Sequence, residues 1–217
     1  MNNGKVNSSS WAAVWKSNRA KWAIAFCIVA ILIDIFYLPF FYQHVLEPKA
    51  GILIHDVVLN AFIPRDWSVF IFSIIYLTIL QTFFSNLRYP GKLLVGLTSY
   101  LMVTLIRMVT MYLVTLDPPT DMILLVDPVT SGFYPDAGFA KDLFFSGHIS
   151  TLTIMILLEH NKLIQIVKVL GTILVALMLA WQHVHYTLDL MVAPFVSTGI
   201  YILARSFLMP DFEAKKT

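Results

Sequence analysis

The chain has 217 residues, 58% of them hydrophobic and 13% charged, with a net charge of +2 and a mean hydropathy of +0.75. A soluble domain carries about 25% charged residues, so this chain cannot cover itself with polar surface and a bilayer is its natural solvent. Its single cysteine, Cys27, excludes a disulfide framework and a cysteine-based zinc site, and the small net charge gives no reason to expect a nucleic-acid partner.

Residues 1–21 are expected to form a cytoplasmic tail that begins with a polar stretch, Met1–Ser10. No signal-peptide cleavage site follows, because Pro39 and large aromatics stand where small residues are required. Six apolar segments come next: Trp22–Phe41, Trp67–Phe84, Leu93–Leu116, Leu143–Leu158, Leu163–Trp181 and Leu188–Leu208. All but the short fourth approach the ~20 residues that cross a bilayer. Backbone groups in lipid must bond within their own segment, so each segment is expected to be a helix. The expected fold is all-α: a polytopic bundle of six transmembrane helices over residues 22–208, then a cytoplasmic tail, 209–217.

Lysine and arginine set the orientation. With the N-terminus in the cytoplasm, that side collects Lys5, Lys16, Arg19, Lys21, Arg88, Lys92, Lys162, Lys168, Arg205, Lys215 and Lys216, against Lys49, Arg65 and Lys141 outside. Both termini are then cytoplasmic. The compact chain favours a bacterial inner membrane, with an endoplasmic or Golgi membrane as the alternative. Two outer loops exceed what a connection needs. Gly51–Ile63 is apolar with polar interruptions, which predicts a short helix lying in the interface. Asp117–Asp142 is acidic and proline-bearing, and could fold back over a site.

This topology brings distant polar residues to one level. His148 starts the fourth span, His183 and His185 end the fifth, and Asp189 starts the sixth, all at the outer boundary. Ionisable groups at such depth are costly and mark function. His185 and Asp189 are spaced i, i+4 and share a helical face, so the carboxylate can fix the imidazole tautomer. Ser146 can cap a helix, and Gly147 lets an anion approach its free N–H groups. One histidine can attack phosphorus while the other protonates the leaving oxygen. Arg107, and after it Lys141, can neutralise the phosphate oxygens. Arg107 and Asp34 fall at similar depth, which predicts that Arg107 rests against Asp34 between substrates. His183 is expected to support the site from its edge. Asp142 is either a helix cap or a lid residue.

These residues resemble a known family. Asp142 to His148, followed by His185-Tyr186-Thr187-Leu188-Asp189, is similar to two motifs of the sphingomyelin synthases, within the type 2 phosphatidic acid phosphatase superfamily. Ile106-Arg107-Met108-Val109-Thr110-Met111-Tyr112 is similar to the arginine-bearing motif of their third span. The resemblance runs from about Gly96 to Leu208. It implies a phosphohistidine at His185, with Asp189 as its partner and His148 as the second catalytic histidine. It also implies transfer of a phosphocholine- or phosphoethanolamine-type head group, without metal or cofactor, from a membrane phospholipid to a lipid alcohol. With water as acceptor, the same residues would make a lipid phosphatase or a phospholipase C-type hydrolase. Tyr186, inside the second motif, is expected to support the site. The chain departs from the family at Ala140-Lys141, where a Cys-Gly stands, and at Pro194, where a tyrosine stands. Two other classes fit less well. A proton-relay transporter predicts ionisable groups strung across the membrane, and a di-iron oxidase needs about eight histidines, against six here.

Overall fold

A computed structural model describes residues 11–128 and 139–210. The tail Met1–Ser10, residues 129–138 of the second outer loop and residues 211–217 lie outside them. All named elements are helical. Among the described residues the one β-type pairing is an isolated bridge, Ile52 to Leu116.

Helix α1, Trp11–Lys16, leads into α2, Asn18–Phe36. Ser17 caps α2, its Oγ accepting the Ala20 N–H at 3.0 Å. Pro39 cannot donate to the turn before it. The chain bends by 42° there and continues as α3, Leu38–Phe40, and a π-helical turn, Phe41–Leu46. Helix α4 spans Ser68–Asn86, and α5, Pro90–Leu113, opens on a proline whose missing N–H costs nothing in a first turn. Helix α7, Lys162–Trp181, is capped by Asn161, which accepts from the N–H groups of Leu163 and Ile164 at 3.0 and 3.4 Å. Helix α8 is Thr187–Leu208.

Helices α4, α5, α7 and α8 are long and apolar enough to cross a membrane, and α2 with its bent continuation Leu38–Leu46 makes a fifth candidate. The predicted fourth span is different. It becomes α6, Gly147–Leu157, of 11 residues. At 1.5 Å per residue this is about 16 Å, roughly half of a hydrocarbon core. Residues 143–146 stay outside the helix because Ser146 caps it, its Oγ receiving the Ile149 N–H at 3.4 Å. Helix α6 packs against α4, α5, α7 and α8.

The outer loops differ from expectation too. Gly51–Ile63 forms no interface helix; its one helical piece is a 3-10 turn, Leu59–Ala61. Its first residues run extended beside the end of α5, with Ile52 N–H on the Thr115 carbonyl at 3.0 Å and Asp117 N–H on the Ile52 carbonyl at 3.1 Å. Gly51 is required at this seam, since a β-carbon would sit 2.6 Å from the Asp117 nitrogen. Residues 122–127 lie across the start of α4 and the end of α7. Ile123 N–H reaches the Gln182 carbonyl and Val126 N–H reaches Ser68 Oγ, both at 3.2 Å. Gln182 knots these elements together, its Oε1 accepting Trp67 N–H at 2.7 Å and its Nε2 donating to Ser68 Oγ at 3.1 Å.

The end of the bundle away from the histidines carries a buried ion pair. Lys168 is buried within α7 and pairs with Glu159 at 2.8 Å. It also donates to Thr82 Oγ1 at 2.8 Å, and Gln81 Nε2 donates to Glu159 at 3.1 Å.

Candidate functional site

Two main-chain features bring the histidines together. Ser146 N–H donates to the Asp189 carbonyl at 3.2 Å, which ties the start of α6 to the start of α8. The α7–α8 turn passes through His183 at φ 57°, a left-handed conformation that histidine tolerates better than most residues. As a result the rings of His148 and His185 lie 5.9 Å apart, centroid to centroid, at 64°. His185 Nδ1 stands 3.7 Å from Asp189 Oδ2, an ion-pair distance but too long for a hydrogen bond. Asp189 Oδ2 instead accepts the Tyr186 N–H at 3.0 Å and so caps α8. His185 and Asp189 are fully buried. Both ring nitrogens of His185, Nδ1 of His148 and Oδ1 of Asp189 have no hydrogen-bond partner among the described residues. Native proteins leave only a few such atoms buried, and four of the eight found among the described residues gather in this one cluster.

Arg107 stands beneath α6. Its Nε donates to the Phe145 carbonyl and its Nη2 to Asp142 Oδ1, both at 2.6 Å. Tyr42, carried in by the bend after α2, donates to the same Asp142 oxygen at 2.6 Å. Burial pushes the Asp142 carboxyl up, but the Arg107 guanidinium and the Tyr42 hydroxyl outweigh it and hold it below the usual carboxylate range. A β-carbon at Gly147 would lie 2.5 Å from Arg107 Nη1, so glycine there lets the guanidinium pass directly under the start of α6.

The expected partner of Arg107 was Asp34, and the structure corrects this. Asp142 takes that place, while Asp34 Oδ1 is buried without a hydrogen bond among the described residues. Lys141 also departs from its expected role. Its Nζ pairs with Asp117 at 3.0 Å and donates to the Lys49 carbonyl, and it does not line the cavity described below. His183 holds the first outer loop, its Nε2 3.0 Å from the Leu59 carbonyl. Tyr186 staples both outer loops, donating to the Asp117 carbonyl at 2.8 Å and receiving the Ile54 N–H at 3.4 Å.

A cavity of about 640 Å³ runs from this cluster down the bundle. His148, Arg107, Gly147, Asp142 and Asp127 line its polar end. Below them the walls are Phe72, Ile75 and Ile79 of α4, Leu97 and Val103 of α5, and Met155 of α6. Helices α4 and α5 touch little, and the lining residues Phe83, Leu97 and Tyr100 are exposed at 49%, 42% and 40%. The cavity therefore opens sideways, between α4 and α5. His185 lies behind His148 and does not reach this space.

Sequence reasoning missed four residues. Tyr42 and Asp127 line the cavity, and Tyr76 donates to both oxygens of Asp127 at 2.7 and 2.8 Å. Asp56 caps α8 from the first outer loop, accepting Thr187 N–H at 2.7 Å and Thr187 Oγ1–H at 3.0 Å. Burial pushes its carboxyl up, but these bonds and those from Val58 and Leu59 keep it below its ordinary value. An acidic residue among loop apolar residues was the available signal. No protein-family model and no curated protein matches this chain.

Proposed function

We propose that the chain is a membrane-embedded lipid phosphotransferase. It moves a phosphocholine- or phosphoethanolamine-type head group from a glycerophospholipid to a lipid alcohol such as ceramide or diacylglycerol. The observation that carries the reading is the His148–His185–Asp189 cluster, with Arg107 at the polar end of a long apolar cavity. An apolar cavity that opens sideways suits a lipid tail, and a basic group at its polar end suits a phosphate.

In this reading the phosphate displaces Asp142 from Arg107. His185 attacks phosphorus, forming a P–N bond as the bond from phosphorus to the diacylglycerol oxygen breaks. Protonated His148 gives that oxygen its proton, and Asp189 holds the opposite edge of the His185 ring. The acceptor alcohol then gives its proton to His148 and attacks phosphorus, and the P–N bond breaks. His185 must become accessible for the first step, so the His148 ring has to move aside as substrate enters.

The Lys/Arg distribution supports a topology of six membrane segments with α6 the short one, both termini cytoplasmic and the cluster on the exoplasmic side, here the periplasmic face of a bacterial inner membrane. The experiment incubates purified protein with labelled phosphatidylcholine, phosphatidylethanolamine or phosphatidate, with and without ceramide, and reads lipid products by mass spectrometry. A labelled phospholipid alcohol formed only with acceptor is the expected product. Free phosphate or a free phospho-head group would make water the acceptor. His185→Ala should abolish turnover and the trapping of acid-labile phosphoprotein; turnover at near wild-type rate would remove His185 from the mechanism.

A further inference from the structure

The cavity beneath the histidine cluster changes character along its length. Three helices each give it one stripe: Phe72 to Phe83 on α4, Leu93 to Arg107 on α5 and Gly147 to Met155 on α6. At the helical rise the α4 stripe descends about 16 Å. The floor is closed in two places. Leu158 packs on Gly96, where a β-carbon would lie 2.5 Å from Leu158 Cδ1. Thr82 is held by Lys168, whose Nζ donates to its Oγ1 at 2.8 Å. The side walls differ with level. Near Arg107 and His148 the apolar lining residues Phe72, Ile75 and Val103 are buried. Roughly two to three turns further down, Phe83 of α4 and Leu97 and Tyr100 of α5 are exposed. From Arg107 to Leu97 is about 15 Å along α5. The sideways opening is therefore a window at the end of the cavity far from Arg107.

We infer that this window is the exit for the tail of the substrate lipid, and that Leu97 and Phe83, at its two rims, set which tail lengths the protein accepts. The inference rests on the proposed reaction, which puts the head group at Arg107. From there the tail descends between buried walls, meets the closed floor and turns out between Phe83 and Leu97 into the bilayer. An ordinary tail fills one leaflet, about 15 Å or half of a hydrocarbon core, and so just reaches the window. A longer tail has to pass through it. The hydrocarbon outside is as apolar as the cavity lining, so the methylenes that emerge lose nothing by leaving. The cavity then imposes no upper limit on tail length, and the substrate class is phospholipids with long as well as ordinary tails.

The test is native mass spectrometry of the full chain in detergent, with phosphatidylcholine and phosphatidylethanolamine that carry either palmitoyl or behenoyl tails. Wild-type protein should retain the two lengths equally. Leu97→Trp narrows the window and should weaken retention of the behenoyl lipids about tenfold, the cost of forcing methylenes into a filled space, while palmitoyl lipids stay as before. Leu97→Phe, a milder block, and Phe83→Trp, on the other rim, should shift the preference in the same direction, whichever of the three variants folds best. Leu177→Trp, at an exposed position of α7 outside the cavity, should leave it unchanged. Rejection of behenoyl lipids by the wild type would overturn the inference. So would an unchanged preference in the rim variants, an equal loss of both lengths, or the same shift in Leu177→Trp. A dihexanoyl phospholipid, whose tails end above the window, separates this inference from the chemistry. Wild type and Leu97→Trp should turn it over at the same rate; loss in the variant alone would place Leu97 at the reacting groups and overturn the exit. Turnover by neither protein would fail the proposed reaction, and the retention pattern would still decide the path of the tail.

Discussion

Gly147 and Arg107 depend on each other. The guanidinium passes 2.5 Å from the place a β-carbon would take, and from there it holds Asp142 and the Phe145 carbonyl. Gly147→Ala must therefore push Arg107 off at least one partner. In the proposed reaction Arg107 binds the phosphate, and a shift of this size is then expected to lower turnover by about 100-fold, with a smaller effect on thermal unfolding. Arg107→Lys should fare no better, because an ammonium cannot span both partners. Asp142 and Asp34 separate the two readings of the resting pair. Asp142→Asn leaves a buried arginine without its carboxylate and should cost roughly 2 kcal/mol, less than a fully buried pair because the Asp142 side chain is 32% exposed. Asp34→Asn removes no hydrogen bond made by its buried oxygen and should be close to neutral. Thermal unfolding of the two variants in detergent decides between them; the reverse order would restore Asp34 as the partner.

Among the elements, α6 and its inner neighbours show what could be read from the chain. The long spans were legible because apolar runs of that length have few other uses. The short α6 was not, because residues 143–158 are continuously apolar and only Ser146 signals where the helix begins. His148, His185, Asp189 and Arg107 were readable from local spacing and motif. The Arg107–Asp142 pair spans 35 residues and the Tyr42–Asp142 bond 100, and both depend on a loop and a bend that no periodicity reveals. Lys168 was counted as a surface cation because it lies near a span end, yet it turns inward to Glu159. Burial pushes the Glu159 carboxyl up, but the Lys168 bond, helped by Asn161 and Gln81, brings it down to about 2 from an ordinary 4.5. A carboxyl depressed in the folded state contributes fully above its unfolded value and loses that contribution as the folded value is approached. Stability from this pair should therefore hold above pH 4.5 and decline toward pH 2. Glu159→Gln should cost about 3–5 kcal/mol at neutral pH, by leaving Lys168 buried alone, and should flatten that acid response. Unfolding curves at several pH values measure both effects.

At the scale of the whole molecule, the two ends of the bundle have different characters: the histidine cluster, the loops and their acidic residues at one, the buried Lys168–Glu159 pair at the other. Their assignment to membrane faces can be tested directly. Cys27 is buried, so a cysteine at the exposed Thr120 gives a nearly silent background for labelling. Thr120→Cys should react in intact cells with an impermeant thiol reagent; reaction only after permeabilisation would invert the topology. The gap between α4 and α5 has a kinetic corollary. In the proposed reaction a lipid entering through it diffuses in two dimensions and never passes through water. Adding inert lipid to the same vesicles should therefore slow turnover by surface dilution, even though the total amount of substrate in the tube has not changed.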